Sequence, residues 1–139
     1  MAVSFHSEQI NFSISDETAV ANWLQDVCVS EGKNLSEVSY IFCSDEYLLE
    51  MNRQYLNHDY YTDVITFDYC EADDVSADVF ISVDRVSENA QNIGVSATDE
   101  LHRVMVHGLL HLLGYHDKES ADKEQMTAKE DFYLSLRSF

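Results

Sequence analysis

Apolar and polar residues alternate over residues 9–15, with Ile10, Phe12 and Ile14 on one side. A period of two predicts a half-buried strand. Over residues 17–29 the period becomes helical. Val20, Trp23, Leu24 and Val27 fall on one stripe, and Gly32 marks its end. Val38, Tyr40 and Phe42 alternate again as a second strand. Ser44 or Asp45 caps a following helix that carries Leu48, Leu49 and Met51. Residues 64–67 and 79–83 are short β-rich runs. Asp84 is placed to cap a helix with Val86, Ala90 and Ile93 in register, closed by Gly94.

The next helix is apolar nearly all round from Val104 to Leu113, which marks it as central and buried. Ser96 or Thr98 caps it, and Asp99 and Glu100 lie in the first turn, where acids suit the positive end of the helix dipole. A last helix begins near Ser120. Its expected stripe is Ala121, Ala128, Phe132, Leu136 and Phe139, with Glu119 and Lys123 spaced to pair. The order β-α-β-α-β-β-α-α-α predicts an α+β fold, a small mixed β-sheet packed with helices around that central helix. A chain of 139 residues suits one domain over 1–139, with a core that needs no disulfide.

Composition narrows the function. The formal net charge is −18, from 26 Asp and Glu against 8 Lys and Arg. Nucleic acid selects basic surfaces, so this balance argues against free gripping of a phosphate backbone, DNA included. Residues 54–84 hold no Lys or Arg but eight carboxylates. Glu71, Asp73 and Asp74 cluster there, as a solvated loop or as a docking patch for a basic partner. Cys28, Cys43 and Cys70 are unpaired in pattern and read as reduced thiols, which with the absence of a leader or an apolar span points to the cytoplasm.

Four of the six histidines lie between residues 102 and 116. His107 and His111 are four apart on one helix, about 40° apart around its axis. Their imidazoles project from one face, one turn apart, as two nitrogens are offered to one metal ion. Gly114 can end the helix in the left-handed conformation. The loop after it delivers a third donor, either His116 or Asp117, and the x₂-Gly-x₂ spacing favours Asp117. Imidazole and carboxylate suit one Zn²⁺. Gly108 stands where a metzincin-type peptidase carries its general base, which disfavours peptide hydrolysis.

The run from His107 to Asp117, H-G-L-L-H-L-L-G-Y-H-D, resembles the H-G-x-L-H-L-x-G-Y-D-H signature of the YbeY family, bacterial metal-dependent endoribonucleases and rRNA maturation factors. Asn52-Arg53-Gln54-Tyr55, Thr62-Asp63-Val64-Ile65-Thr66-Phe67 and Ala77-Asp78-Val79-Phe80-Ile81-Ser82 are similar to further family blocks, so that the resemblance covers residues 36–131. Asp117 takes the place of the family's third histidine. The family arginine after the tyrosine, thought to engage phosphate, falls at Leu56, with Arg53 one turn earlier as a stand-in. The resemblance implies a zinc-dependent, single-strand-specific endoribonuclease in small-subunit rRNA 3′-end maturation and ribosome quality control. It offers Arg53 and Asp63 as catalytic candidates beside a metal-bound water. Given the charge, rRNA would be reached through ribosomal or other protein partners. The competing expectation is a non-catalytic ribosome-assembly factor with a structural metal.

Overall fold

The computed structural model describes residues 2–139. Strand β1 (Val3–Ser7) leads to helix α1 (Glu17–Ser30), strand β2 (Asn34–Cys43) and helix α2 (Asp45–Leu56). Strands β3 (Val64–Asp68) and β4 (Asp74–Ser82) follow, then helices α3 (Val83–Ile93), α4 (Ala97–Leu112) and α5 (Ser120–Ser135). The sheet order is β1-β2-β4-β3. β1, β2 and β4 run parallel, and β3 pairs antiparallel with β4. This is the expected α+β class with a mixed sheet.

Alternation along the strands divides the apolar residues between two faces. Val38, Tyr40 and Phe42 of β2 join Val75, Ala77, Val79 and Ile81 of β4 in the main core. α1 covers that face with Trp23, Leu24 and Val27, and α4 with Met105, Leu109 and Leu110. Cys43 and Ile65 turn to the opposite face and pack with Leu48 of α2 in a smaller cluster. Cys28 and Cys43 are buried, and burial pushes both thiols up to about 12, so neither offers a thiolate at neutral pH.

α4 is held against the sheet by position as well as by apolarity. Ser96 Oγ accepts the Asp99 N–H at 3.0 Å and caps its start. Tyr40 donates its hydroxyl to the Met105 carbonyl at 3.1 Å from within the sheet. A side chain at Gly108 would place its Cβ 3.3 Å from Val79 Cγ1 and 3.5 Å from Thr66 Cγ2. Position 108 therefore faces the strands, which explains why glycine stands there and sets how closely the helix approaches.

Three local expectations change. The N-terminal strand is Val3–Ser7, not residues 9–15. β1 pairs with β2, and Gln9, at φ 60°, breaks the extended chain just beyond it. Ile10, Phe12 and Ile14 still pack on the core, but as loop residues. Ser82, not Asp84, caps α3 by accepting the Arg85 N–H at 3.1 Å, because β4 runs straight into the helix. The buried face of α5 is Met126, Glu130 and Tyr133, whereas Ala121, Ala128, Phe132, Leu136 and Phe139 are exposed. Glu119 takes the cap position of α5, without a side-chain bond. The inward stripe of α5 includes a carboxylate, which a count of apolar residues does not register.

Candidate metal centre

His107 and His111 lie on the last turns of α4, where the helix leaves the core, and both are half-buried. Their Nε2 atoms are 3.1 Å apart. Beyond Leu113 the chain reverses at Gly114, whose φ is +105°. The Tyr115 N–H returns to the Leu110 carbonyl at 3.0 Å. This turn brings Asp117 back over the helix end, with Oδ2 at 3.4 Å from each Nε2. One donor atom from each of His107, His111 and Asp117 lies within 4.8 Å of the others. Two imidazoles and a carboxylate so placed fit a divalent transition ion with room for a further ligand. His116 turns instead to a separate cavity beside Glu31 and Tyr115.

The remaining ring nitrogens are both engaged. His107 Nδ1 is 2.6 Å from Glu130 Oε2, and His111 Nδ1 is 3.0 Å from the Tyr115 carbonyl. An Nδ1–H held by an acceptor leaves the Nε2 lone pair for a metal. Glu130 is itself clamped, since Arg103 donates to its Oε1 at 2.8 Å and to Asp131 at 2.6 Å. Burial pulls the His107 pKa down. Glu130, through hydrogen bond and charge, outweighs that together with Asp117 and Asp63, and the net direction is upward.

Glu130 is the site residue that sequence reasoning missed. The signal was its i,i+4 and i,i+3 relation to Met126 and Tyr133, which makes it part of a buried stripe. Asp63 lines the same cavity as the three donors. Burial raises its pKa, and His107 offsets part of that. Glu100 lies in the first turn of α4 but is only 7% exposed, and its Oε1 has no hydrogen-bond partner among the described residues. Burial raises its pKa, with Asp63 adding to the effect. Arg53 sits elsewhere, paired with Asp59 at 2.5 Å and with Glu50 at 3.6 Å, and it does not line the cavity. The carboxylates of residues 71–74 are partly engaged, Asp73 with Lys33 and Asp74 with Asn34.

No helix among the described residues is long and apolar enough to cross a membrane. The family model described as Endoribonuclease YbeY matches residues 2–137. A protein named Endoribonuclease YbeY from Bacteroides thetaiotaomicron is 48% identical over 137 residues, covering 99% of this chain and 100% of its own. Namesakes from Cytophaga hutchinsonii and Flavobacterium psychrophilum are 50% and 52% identical, over 99% and 96% of this chain and 96% and 95% of theirs. The solution structure of TM1509 from Thermotoga maritima superposes with a TM-score of 0.66 at 27% identity, covering 96% of this chain and 87% of that one. With a fold, a signature block and whole-length relatives in agreement, the chain belongs to the YbeY family.

Proposed function

We propose that this chain is a single-domain, zinc-dependent endoribonuclease that cuts single-stranded RNA during small-subunit rRNA 3′-end maturation and ribosome quality control in the cytoplasm. The observation that carries this reading is the convergence of His107, His111 and Asp117 at one point in a member of the YbeY family. Zinc held by such a set supplies Lewis acidity toward a phosphoryl oxygen and toward water.

The chain's own residues do the rest. Glu130 and the Tyr115 carbonyl hold the Nδ1 protons, so His107 and His111 present Nε2 without rearrangement. Asp117 adds one negative charge to the donor set. Asp63, on the wall of the same cavity, has its pKa raised by burial, which suits it to take a proton from an attacking water or to give one to the leaving ribose oxygen. Arg53 is occupied by Asp59 and Glu50 and has no part in this reading.

The net charge of −18 supports targeting through protein partners, with the carboxylates of residues 54–84 as the surface that a basic ribosomal protein would meet. The competing reading, an assembly factor with a structural metal, predicts a closed site that contributes folding energy. The donors here line an open cavity, and the apolar core packs without them, which supports the catalytic reading.

Zinc analysis and cleavage of a single-stranded RNA oligonucleotide, in wild type, His107→Ala and His111→Ala, test it. One zinc per chain and metal-dependent cleavage in wild type alone is the expected result. A wild type that takes up no zinc after reconstitution would end the proposal. Chelation that unfolds the protein, rather than only silencing it, would transfer the metal to a structural role. Mapping rRNA ends in a deletion strain complemented with wild type or His111→Ala tests the biological part.

A further inference from the structure

We propose that His58 is a phosphate contact of the metal-site cavity beside the metal, its turn held by Asn52 and its ring oriented by Tyr60; this rests on the endoribonuclease reading above. The cavity holding His107, His111 and Asp117 measures about 430 Å³, which suits a nucleotide-sized ligand. Leu56, His58, Tyr60 and Asp63 also line it. Among the described lining residues there is no Lys or Arg. Two carboxylates, Asp63 and Asp117, face a substrate that is itself an anion. With His107 and His111 committed to the metal, His58 is the remaining lining side chain that can carry positive charge and donate to a phosphate oxygen.

The turn bearing His58 is built rather than loose. α2 ends at Asn57 in the left-handed conformation, at φ 54°. Asn52, only 1% exposed, ties both sides of the turn to the helix. Its carbonyl accepts the His58 N–H at 3.1 Å, and its side-chain amide donates to the Tyr60 carbonyl at 2.9 Å. The His58 ring stacks on Tyr60 with centroids 5.1 Å apart and planes 23° apart. The Tyr60 hydroxyl lies 2.9 Å from His58 Nδ1. A phenol can donate to Nδ1 of the neutral ring or accept from the imidazolium. In both of these states Nε2 carries a proton for an incoming anion. His58 and Tyr60 are both exposed, and the stack and the hydroxyl contact orient the ring, so that it loses less freedom on binding than an unpartnered side chain would.

The test uses the zinc-loaded full chain as wild type, His58→Gln and His58→Arg. Cleavage of a single-stranded RNA oligonucleotide is measured beside zinc stoichiometry and melting temperature. Imidazole nitrogens are followed by NMR in wild type while inorganic phosphate is added. His58→Gln is expected to lower kcat/KM about 100-fold with zinc content unchanged, the scale on which a lost anion donor is felt. His58→Arg is expected to recover at least about tenfold of that, and phosphate to shift the His58 Nε2 resonance. A His58→Gln enzyme within about threefold of wild type would overturn the contact and leave the endoribonuclease reading standing. An Arg variant no better than the Gln variant would overturn it too. A wild type that cleaves no RNA while phosphate still moves Nε2 would sustain the anion contact and end the RNA reading. Should the variants fail to fold, a His58 resonance unmoved by phosphate decides against the proposal by itself.

Discussion

His102 and His107 stand five residues apart on α4, yet the helix puts imidazole to opposite uses at the two positions. His102 is 5% exposed and lies against Trp23 and Phe139, with ring centroids at 5.8 and 5.4 Å. Arg137 donates to its Nδ1 at 2.8 Å, which requires a neutral ring. Burial, and then the charge of Arg137, push its pKa down to about 4. His107 meets a carboxylate where His102 meets a guanidinium, and its pKa moves up. The helix supplies the same residue type at both places. What differs is the partner that α5 and the C-terminal tail deliver, and that partner decides between a packed core ring and a ring whose Nε2 is free to be offered to a metal.

The largest effect expected from breaking this comparison is chemical. His107→Ala should abolish zinc uptake and reduce RNA cleavage by about 10³-fold or more, on the order of 4 kcal/mol of barrier. His102→Ala should keep one zinc per chain while lowering the melting temperature. Metal analysis and calorimetry on the pair separate the two roles.

The next effect is a stability slope in the metal-free protein. Above about pH 6.5, His102 is neutral folded and unfolded. Between that value and its folded pKa of about 4, only the unfolded chain takes up the proton, so stability falls as pH falls. At ~1.4 kcal/mol per pKa unit the loss approaches about 3 kcal/mol. His107 has the opposite sign. Its raised pKa contributes stability at low pH that is lost as pH rises through the folded value. Urea unfolding between pH 4 and 7 should therefore show a weaker acid loss in His102→Phe than in wild type, and unfolding followed upward from pH 6.5 should show a smaller decline with rising pH in His107→Gln than in wild type.

Glu130→Gln sharpens the contrast further. It keeps the shape of the contact and removes the charge, so zinc affinity at pH 8 should weaken about 10- to 100-fold. The acid limb of zinc binding should also move to lower pH, because His107 then competes less for protons. Chelator competition across pH reads both. The smallest effect belongs to the far end of the helix. Ser96→Ala removes the cap on Asp99 N–H and should cost about 1 kcal/mol, with no change in zinc affinity.

Much of this was legible because it is local. The spacing of His107 and His111 is a property of one helix, and Gly114 followed by Asp117 is a property of one turn. The element order follows from period changes along the chain. The N-terminal strand was misplaced because alternation over residues 9–15 resembles a strand, while only pairing with β2 makes one, and that pairing selects Val3–Ser7. The stripe of α5 was misread because Phe132 and Leu136 look like core residues, whereas Glu130 faces inward. A buried carboxylate is favourable only when donors wait for it, and Arg103 and His107 do so from another helix.

The sequence by itself determined the α+β class and the helix with two imidazoles on one face, and its spacing favoured Asp117 over His116 in the turn after it. Each follows from periodicity and covalent spacing, which act over a few residues. Only the tertiary structure decided that Glu130 orients His107, that Arg53 is spent on Asp59, and that His58 shares a cavity with the donors. Those outcomes depend on distant segments meeting, and a buried charge or a donor acquires its role from the group it meets.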